Sequence, residues 1–416
     1  MIVVWADDLA GAAEMGGMAW RHGLSAEVRT GGGLDLSVSS LPDSAEVVVL
    51  DIDTRSCAPE EAARRVYEAA ARCRVGQVDA VYKKVDSVLR GPVAAELGAL
   101  LDALPYERCL LVPANPGLGR VISDGQYLVN GVPLHETDFR LDPEYPATTA
   151  DVLQRVGACG LDESIPLHLC SPGNSLPEQG VIVGEAVCAA DLATWAVQGV
   201  RPGVLAAGAS EFFGAYLSAL GYAPAERTPA TNPSGEARVL FVCGSTSASS
   251  RAFCRQSEAR GVPVLRLPEA LLQRPVGPPG VDALIGQWAD RVVRALASCS
   301  RAVIAIDRPL CSDPGMPQVL GGYLAEAVAR ALEHCAVHGD PDGTVYGGVD
   351  RLLVEGGATA VAVVRRMGWT RLRVCREWAT GVVSLKAAGQ AAPLVSMKPG
   401  SYAWPDAILF ERESKV

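Results

Sequence analysis

Short runs of apolar residues alternate along the chain with longer stretches in which apolar positions recur every three or four residues. This alternation is typical of parallel α/β units, in which buried strands are joined by amphipathic helices. In the first half it predicts strands at residues 2–5, 47–51, 80–84, 109–112, 166–169, 181–183 and 204–207. Helices at 10–22, 59–74 and 93–104 are predicted to cover both faces of the sheet that these strands form.

The pattern is interrupted once, between residues 223 and 237. This stretch is rich in Pro, Thr, Ser and Gly and has no hydrophobic periodicity, so we predict a linker there. The alternation then restarts, with strands predicted at 239–242, 302–306, 352–354, 372–374 and 394–396. We therefore predict two α/β domains with mainly parallel sheets, residues 1–222 and 238–416, and an active site in the interdomain cleft.

Composition and charge narrow the possible partners. Apolar residues make up 49% of the chain and charged residues 20%, which fits a globular protein and excludes a disordered one. The net charge of −10 argues against a general nucleic-acid binder, which needs basic patches to offset phosphate charge. The longest stretches free of acidic and basic residues are 14 residues long, too short to span a bilayer. We therefore expect neither a nucleic acid nor a membrane as partner.

The cysteines indicate a reducing compartment. Twelve are scattered along the chain without any CxxC pair, so we interpret them as reduced thiols of a cytoplasmic protein. His334, Cys335 and His338 form the best metal candidate, because the two histidines would share one face of a helix. A frayed helix end before the sequence GDPDG explains the same residues without a metal.

Polar residues gather where the first four predicted strands of the N-terminal half end. Ligands of open α/β sheets bind beyond the carboxyl ends of the strands, so these positions are candidates for a site. They are Asp7, Asp8, Asp51, Asp53, Thr54, Arg55, Lys83, Lys84, Asp86, Ser87, Arg90, Asn115 and Arg120. Each alone has a structural explanation: Asp8 could cap a helix, and Arg120 could simply be solvated. Together they predict a binding site.

The mixture of charges suggests the kind of ligand. Arginine and lysine suit a carboxylate or phosphate, and a guanidinium pairs with two oxygens at once. Aspartates suit sugar-like hydroxyls, and one could accept a hydroxyl proton. Lysine is rare here, since it supplies only five of the 37 basic residues, yet Lys83 and Lys84 are adjacent. We interpret the set as a site for a small polyhydroxy acid.

The second half carries glycine turns in place of charges. Turns between a predicted strand and a helix occur at 243–247 (CGSTS) and 355–359 (EGGAT), and a third follows the strand that ends near residue 398 (KPGS). Glycines there let backbone N–H groups approach an anion, and a helix N-terminus adds a favourable dipole. Three such turns predict a nucleotide phosphate site, although GxxxxGK[ST], GxGxxG and the protein-kinase catalytic loop are all absent.

These segments resemble one family. Residues 4–12 (VWADDLAGA) resemble the ADD-x-TGA opening of the four-carbon acid sugar kinases, the tetronate kinases, and residues 83–91 (KKVDSVLRG) resemble their K-K-x-D-S-T-L-R-G segment. The segments at 113–116 (PANP), 119–120 (GR) and 137–139 (TDF) match the next block. In the second half, GS at 244–245, EGGATA at 355–360 and KPG at 398–400 resemble the family's nucleotide loops.

The resemblance implies an enzyme that uses ATP and Mg²⁺ to phosphorylate the terminal 4-hydroxyl of a four-carbon sugar acid. D-threonate, D-erythronate and a 3-oxo-tetronate are the substrates it suggests. The N-terminal domain of such enzymes holds the acid and the C-terminal domain holds ATP. The ligands of Mg²⁺ are not indicated by the sequence, and the oligomeric state stays open, with a homodimer as one possibility.

We assign the site residues from the resemblance and from the strand-end pattern together. Catalysis is assigned to Asp8, Asp86 and Lys84, with Asp8 as the first candidate to orient or deprotonate the hydroxyl and Asp86 as the second. The residues expected to bind substrate are Asp7, Arg55, Ser87, Arg90, Asn115 and Arg120. The residues expected to bind nucleotide are Ser245, Gly356, Gly357, Ala358, Thr359 and Gly400.

Four positions depart from the family pattern. Ala10 and Val88 stand where threonine is usual, Ala358 replaces the Glu of a GGET loop, and Ala403 replaces the final glycine of G-x-F-G. These changes leave two alternatives open: a kinase for a different small hydroxy acid, or a non-catalytic sensor of a sugar acid or nucleotide. An NAD-dependent oxidoreductase is disfavoured because the dinucleotide fingerprint is missing.

Overall fold

The structure, a computed structural model, describes residues 1–31, 45–73, 78–142, 144–160, 162, 164–225, 237–245, 247–272, 278–307, 316–337, 348–389, 393–399 and 404–409. The chain divides into two compact units, Met1–Thr228 and Pro229–Val416. The predicted linker at 223–237 spans this division, and most of it lies outside the described residues. The prediction of an α/β fold with a mainly parallel sheet is confirmed.

The N-terminal unit is built from a parallel sheet and a small antiparallel sheet. Its strands are β1 (Ile2–Ala6), β2 (Ala26–Arg29), β3 (Val47–Asp51), β4 (Ala80–Lys84), β5 (Arg108–Val112), β6 (Arg120–Ser123), β7 (Gln126–Val129), β8 (Val132–Pro133), β9 (Leu167–Cys170), β10 (Gly180–Gly184) and β11 (Val204–Gly208). Its helices are α1 (Leu9–Arg21), α2 (Pro59–Ala71), α3 (Val93–Ala103), α4 (Val152–Gly157), α5 (Ala189–Gly199) and α6 (Ser210–Ala219). The large sheet has the order β2-β3-β1-β4-β11-β5-β10-β9, and β6, β7 and β8 form the small one.

The register of the central strands brings their carboxyl ends to one edge. Ala6 of β1 lies beside Asp51 of β3 and beside Lys84 of β4. Gly208 of β11 lies between Lys84 and Val112 of β5. The loops that follow these five strands therefore start next to one another, which is the arrangement that builds ligand sites in open parallel sheets.

The two faces of β4 show why its side chains alternate in role. Val81 and Val85 belong to the apolar core shared with α3, whereas Tyr82 packs on the opposite face against the ring of Phe213, 4.8 Å away. Successive side chains of a strand point to opposite faces of a sheet. Lys83 therefore shares the face of Val81 and Val85, whereas Lys84 shares the face of Tyr82.

The C-terminal unit repeats the α/β pattern and ends in a meander. Its strands are β12 (Val239–Cys243), β13 (Val264–Arg266), β14 (Arg301–Ala305), β15 (Arg351–Glu355), β16 (Arg371–Ala379), β17 (Val382–Ala387) and β18 (Leu394–Lys398). Its helices are α7 (Ala248–Ala259), α8 (Pro278–Ser298), α9 (Met316–Val337), α10 (Gly357–Arg366) and α11 (Asp406–Leu409). The strand order is β13-β14-β12-β15-β18-β17-β16, with β17 antiparallel to both of its neighbours.

The carboxyl ends of three parallel strands also meet in this unit. Cys243 of β12 lies beside Glu355 of β15, and Glu355 lies beside Lys398 of β18. The three predicted glycine turns therefore leave the sheet side by side. None of the helices in the described part of either unit combines the length and apolarity needed to cross a bilayer.

Candidate functional site

The turn after β1 is joined to the turn after β3 by Arg55. Its Nε donates to Asp7 Oδ2 over 2.7 Å, and its Nη1 donates to Asp8 Oδ2 over 2.6 Å. Asp8 is also the N-cap of α1, because its Oδ1 accepts the backbone N–H of Gly11 at 2.7 Å. Asp8 therefore caps α1 with one carboxylate oxygen and binds Arg55 with the other.

The turn after β4 is organised by Asp86. Its carboxylate accepts Arg90 Nη2 at 2.8 Å and Arg90 Nε at 3.1 Å, a bidentate pair, and it also accepts the backbone N–H groups of Val88 and Arg90. Leu89 adopts a left-handed backbone conformation, with φ of 59°, within this turn. Arg55 Nη1 lies 3.8 Å from Asp86 Oδ1, so the turns after β1, β3 and β4 form one charged cluster.

Lys84 joins the cluster from the end of β4. Its Nζ donates to the carbonyl of Val85 at 2.8 Å and lies 3.7 Å from Glu14 Oε2 on α1. Burial acts to raise the pKa of both Asp7 and Asp8, and the positive charge of Lys84, together with the larger effect of Arg55, acts against it. The pKa of Asp7 is lowered as a result, whereas that of Asp8 stays raised. The side chain is 4% exposed, so a ligand that reaches it must enter the cluster itself.

A second layer comes from the small sheet and the segment after it. Arg120 Nη1 donates to the hydroxyl of Ser87, and the guanidinium carbon lies 5.4 Å from the centre of the Phe139 ring. The Tyr127 hydroxyl donates to the backbone carbonyl of Ser87. Arg90 Nη1 reaches Asp142 Oδ2 at 3.4 Å. Residues 120–142 thus contact the turn after β4 through three side chains.

Asn115 stands somewhat apart, after β5. Its backbone pairs with that of Arg120, and its side-chain Nδ2 lies 3.4 Å from Ser210 Oγ at the start of α6. The side chain is buried, at 2% exposure, and its Oδ1 has no hydrogen-bond partner among the residues that the structure describes. A buried amide oxygen without a donor is costly, so this atom is suited to accept a hydrogen bond from a ligand hydroxyl.

The carboxylates of the cluster have unequal proton affinities. Burial raises the pKa of the Asp8 carboxyl, and the charge of Asp7 adds to the rise, so that it stays raised despite Arg55. Burial would also raise the pKa of Asp86, but Arg90 and Arg55 hold it well below its usual range. Two carboxylates in one site whose pKa values are driven apart have separate uses: Asp8 can take up a proton, and Asp86 remains a fixed negative charge.

Asp51 is a third buried carboxylate at this edge. Burial, with the nearby charges of Asp8 and Asp53, raises its pKa to about 7. Its oxygens accept the Thr30 hydroxyl at 3.0 Å and the backbone N–H of Asp53 at 3.1 Å. It is the last residue of β3, and we noted it in the strand-end pattern without assigning it a role.

The cations of the cluster are already paired with its carboxylates. Arg55 forms ion pairs with Asp7 and Asp8, and Arg90 forms ion pairs with Asp86 and Asp142. A polyol hydroxyl could accept from these arginines or donate to the aspartates without upsetting the charge balance. The arrangement therefore suits a small polar ligand with several hydroxyls, and an incoming carboxylate would compete with Asp142 for Arg90.

In the C-terminal unit, the turn after β15 begins α10 with bare backbone amides. Gly356 is the N-cap and has φ of 95°, a conformation that L side chains rarely adopt. The backbone N–H groups of Gly357, Ala358 and Thr359 lie in the first turn of α10, where they have no acceptor within the helix. Together with the dipole of the ten-residue helix, they are suited to bind phosphate oxygens.

The turn after β12 packs directly on this helix. A Cβ at Gly244 would lie 1.8 Å from Thr359 Oγ1, so only glycine fits there. Ser245 Oγ accepts the backbone N–H of Ser247, which is the N-cap of α7. Ser245, Gly356, Gly357, Ala358 and Thr359 thus line two adjoining turns, whereas Gly400 lies outside the described residues.

A buried ion pair lies beneath these turns. Lys398 Nζ is 3.0 Å from Glu355 Oε2, and both side chains are 2% exposed. Lys398 also lies over the Trp404 ring, 5.4 Å from its centre. We did not predict this pair, because the two residues are 43 positions apart and only the β15–β18 register brings them together.

Three of the four departures from the family pattern lie among the described residues, and Ala403 lies outside them. Ala10 is half-buried in the first turn of α1. Val88 is fully buried in the apolar core beneath α2 and α3, so its side chain packs away from the ion pairs. Ala358 is exposed in the first turn of α10. Of the proposed metal ligands, His334 Nδ1 lies 3.8 Å from Asp290, and His338 is outside the described residues. The described residues contain no group of three or more side chains suited to a metal ion.

The sequence did not reveal Asp142, Glu14, Tyr127 or Ser210 as neighbours of the site. Asp142 is 52 residues from Arg90, and Tyr127 is 40 residues from Ser87. None of them directly follows one of the first four predicted strands, and that position was the signal that identified the other residues. The path of the chain after β5 places Tyr127, Asp142 and Ser210, whereas Glu14 reaches Lys84 from α1.

Fold and site together define a class: an α/β protein whose N-terminal unit gathers buried ion pairs at strand ends and whose C-terminal unit presents glycine turns. Comparisons with known proteins show which family has this fold and these sequence features. A family model described as "Sugar-binding N-terminal domain" matches residues 2–212. The chain is 30% identical over 406 residues to D-threonate kinase of Cupriavidus necator, covering 91% of this chain and 89% of that one.

Two further comparisons cover the whole chain. Identity to 3-oxo-tetronate kinase of Methylobacterium radiotolerans is 29% over 437 aligned positions, 96% of each chain. The solved structure of Haemophilus influenzae protein HI1011 superposes over 100% of both chains with a TM-score of 0.69 at 20% identity, which shows the shared fold. The chain belongs to the four-carbon acid sugar kinase family, the tetronate kinases.

Proposed function

We propose that this protein is an ATP-dependent kinase that phosphorylates the terminal 4-hydroxyl of a four-carbon sugar acid, such as D-threonate, D-erythronate or a 3-oxo-tetronate. The observation that carries the proposal is the cluster of Asp8, Arg55, Asp86 and Arg90 at adjoining strand ends, in a chain of the sugar-acid kinase family.

The acid is proposed to bind at this cluster. Its hydroxyls would pair with Asp7, Asp8 and the free amide oxygen of Asn115. Its carboxylate would bind Arg90, displacing Asp142, with Arg120 and Ser87 beside it. This assignment uses the unequal strength of the contacts, since Arg90 is 3.4 Å from Asp142 but 2.8 Å from Asp86. The weaker contact is the one that a ligand would replace.

Phosphoryl transfer depends mainly on positioning and electrostatic stabilisation. The oxygen of the 4-hydroxyl would form a bond to the γ-phosphorus, the bond from that phosphorus to the ADP oxygen would break, and the hydroxyl proton would pass to Asp8. Asp8 is preferred over Asp86 because its pKa is raised, whereas that of Asp86 is held low by two arginines. Lys84 would offset the charge of the transferring group.

The nucleotide phosphates are proposed to bind the amides of Gly357, Ala358 and Thr359, with Ser245 and Gly400 on the neighbouring turns. Gly356 would shape the turn, because its own N–H already donates to the Lys398 carbonyl at 2.9 Å. The close packing of Gly244 on Thr359 fits this, because the two turns must approach without side chains between them. Mg²⁺ usually keeps several waters and binds phosphate oxygens plus one or two carboxylates, so it needs no protein cage. It would supply charge neutralisation at the phosphates.

A coupled assay of ADP release with a panel of tetronates tests the proposal. We expect turnover with at least one four-carbon sugar acid, dependent on ATP and Mg²⁺, and none with the corresponding tetronamides, which keep the 4-hydroxyl but lack a carboxylate. Absence of turnover with every tetronate at high protein and Mg²⁺ would contradict the proposal. A rise in melting temperature with ligand but no ADP release would instead identify a sensor.

A further inference from the structure

Lys83 is a buried charge that the proposed reaction does not use. It alternates with Lys84 on β4 and points to the opposite face, among the apolar side chains beneath α3. Its Nζ lies 2.8 Å from Glu96 Oε2, and the two side chains are 0% and 1% exposed. Replacing a buried ion pair by apolar residues is often neutral or stabilising, so stability alone is a weak reason for this pair.

The pair is connected to the candidate site through Thr54. The Thr54 hydroxyl, fully buried, donates to Glu96 Oε1, the oxygen that Lys83 does not face. The Thr54 backbone N–H donates to the carbonyl of Asp7 at 2.9 Å, and the Arg55 N–H donates to the same carbonyl at 3.1 Å. Glu96 thus fixes the residue that immediately precedes Arg55.

Arg55 depends on this anchoring for its position. Its guanidinium must reach Asp7, Asp8 and Asp86 at once, over 2.7, 2.6 and 3.8 Å. Arg55 extends from the short loop after β3. Asp53, two residues earlier in that loop, has a left-handed backbone conformation with φ of 55°. Within that loop, the side chain of Thr54 is fixed on the interior side by Glu96, and that of Arg55 on the opposite side by aspartates.

We propose that Lys83, Glu96 and Thr54 are positioning residues that hold the Arg55 loop in register with Asp7 and Asp8 for binding of the sugar acid. Lys83 pairs with Glu96 inside the core, Glu96 accepts the Thr54 hydroxyl, and Thr54 fixes the backbone that carries Arg55. This inference rests on the proposed function for its substrate. The two adjacent lysines of β4 then have different roles: Lys84 lies within the charged cluster, and Lys83 supports the Arg55 loop from the apolar core.

The first test separates positioning from stability. The double variant Lys83→Met/Glu96→Leu removes both buried charges and keeps the apolar volume. We expect a melting temperature equal to or above that of the wild type, together with a rise of at least tenfold in KM for the sugar acid and a KM for ATP within twofold. Unchanged KM for the acid in a folded variant would overturn the inference.

The second test uses a smaller change that leaves the ion pair in place. Thr54→Val removes the hydroxyl and keeps the shape, whereas Thr54→Ser keeps the hydroxyl. We expect Thr54→Val to raise the KM for the acid three- to tenfold and Thr54→Ser to stay within twofold of the wild type. Equal KM values in the two variants would overturn the inference, and this test still decides if the double variant does not fold.

A ligand-independent measurement keeps the inference separate from the proposed function. A crystal structure of the Thr54→Val variant is expected to show Arg55 Nε beyond 3.5 Å from Asp7 Oδ2, compared with 2.7 Å here. An unmoved Arg55 would overturn the inference even if the wild-type protein turned over no tetronate. Lack of turnover by the wild type, with Arg55 displaced in the variant, would contradict only the proposed function.

Discussion

At the scale of single residues, the candidate site is a set of carboxylates made unequal by their surroundings. Asp86 accepts two guanidinium nitrogens and two backbone N–H groups, which stabilise its charged form. Asp8 accepts one backbone N–H and one guanidinium nitrogen, and burial dominates its proton affinity. The same residue type is therefore suited to accept a proton in one place and to remain charged 78 positions later.

Asp8→Asn tests the proposed proton acceptor. The amide keeps an oxygen for the Gly11 N–H but cannot take a proton, so we expect kcat to fall by roughly 10²–10⁴-fold. In the wild type, kcat should decrease as pH falls through the raised pKa of Asp8, because the carboxylate is then protonated; the variant should lack this decrease. Steady-state kinetics across pH measures both.

The matched control for that prediction is Asp102→Asn, which makes the same chemical change at an exposed position of α3. It should retain the kcat of the wild type and its pH profile. A kcat within twofold of the wild type in Asp8→Asn, or an acidic decrease that persists there, would assign proton transfer to another group.

Asp51→Asn is predicted to change how stability depends on pH. The pKa of Asp51 in the folded protein is about 7, above the ordinary 3.8, so the native state holds a proton that the unfolded chain has lost. Stability therefore falls as pH rises from about 4 to about 7. The asparagine variant does not lose this stability. Its free energy of unfolding at pH 8 should therefore exceed that of the wild type by a few kcal/mol, since each unit of pKa shift corresponds to about 1.4 kcal/mol.

Urea unfolding at pH 4.5 and pH 8 measures this difference. The variant retains an oxygen for the Asp53 N–H and an amide for the Thr30 hydroxyl. Its gain in unfolding free energy should therefore be a few kcal/mol at pH 8 and fall to about 1 kcal/mol at pH 4.5. Asp102→Asn serves again as the control, with no such gain expected. If the variant gained the same free energy of unfolding at both pH values, the gain would come from packing and not from the proton bound by Asp51.

At the scale of elements, the strands built on a short apolar run were predicted most accurately. β1, β3, β5, β12 and β15 contain such runs, and β4 begins with one before its two lysines; all six were found within one or two residues. β2 (AEVR) was missed because Glu27 and Arg29 look exposed in the sequence, yet both are buried as an ion pair at 2.9 Å. β17 was missed because it is antiparallel and follows β16 through a tight turn.

The same reasoning explains how far the site could be predicted. A residue that directly follows a parallel strand has its place fixed by the fold, so Asp7, Asp8 and Asp86 were identifiable from their positions alone. Asp142 and Glu96 reach the site from other elements, and their contacts depend on tertiary packing that no local pattern encodes. The glycine turns of the C-terminal unit were identifiable, but the packing of Gly244 on Thr359 was not.

At the scale of the whole molecule, each unit has its own set of strand ends, with charged side chains in one and backbone amides in the other. The proposed division of labour follows from this chemistry, because guanidinium and carboxylate groups recognise a polyhydroxy acid and unobstructed N–H groups recognise phosphate. The division can be tested in the full chain without assuming how the reaction proceeds, by asking which backbone amides each ligand protects from hydrogen exchange.

We predict that D-threonate, or whichever tetronate supports turnover, slows amide exchange in peptides that cover residues 52–57 and 84–91. A non-hydrolysable ATP analogue with Mg²⁺ should instead slow exchange in peptides that cover residues 355–360. Each protection should amount to at least a tenfold slower exchange at saturation, since a ligand at 100 times its Kd adds about 2.7 kcal/mol to the stability of the state that binds it. The exposed helix face around Asp102 provides an internal reference that neither ligand should change. Protection of residues 355–360 by the acid alone, or of 52–57 by the nucleotide alone, would reverse the assignment of the two units, because neither set of contacts described above could produce it.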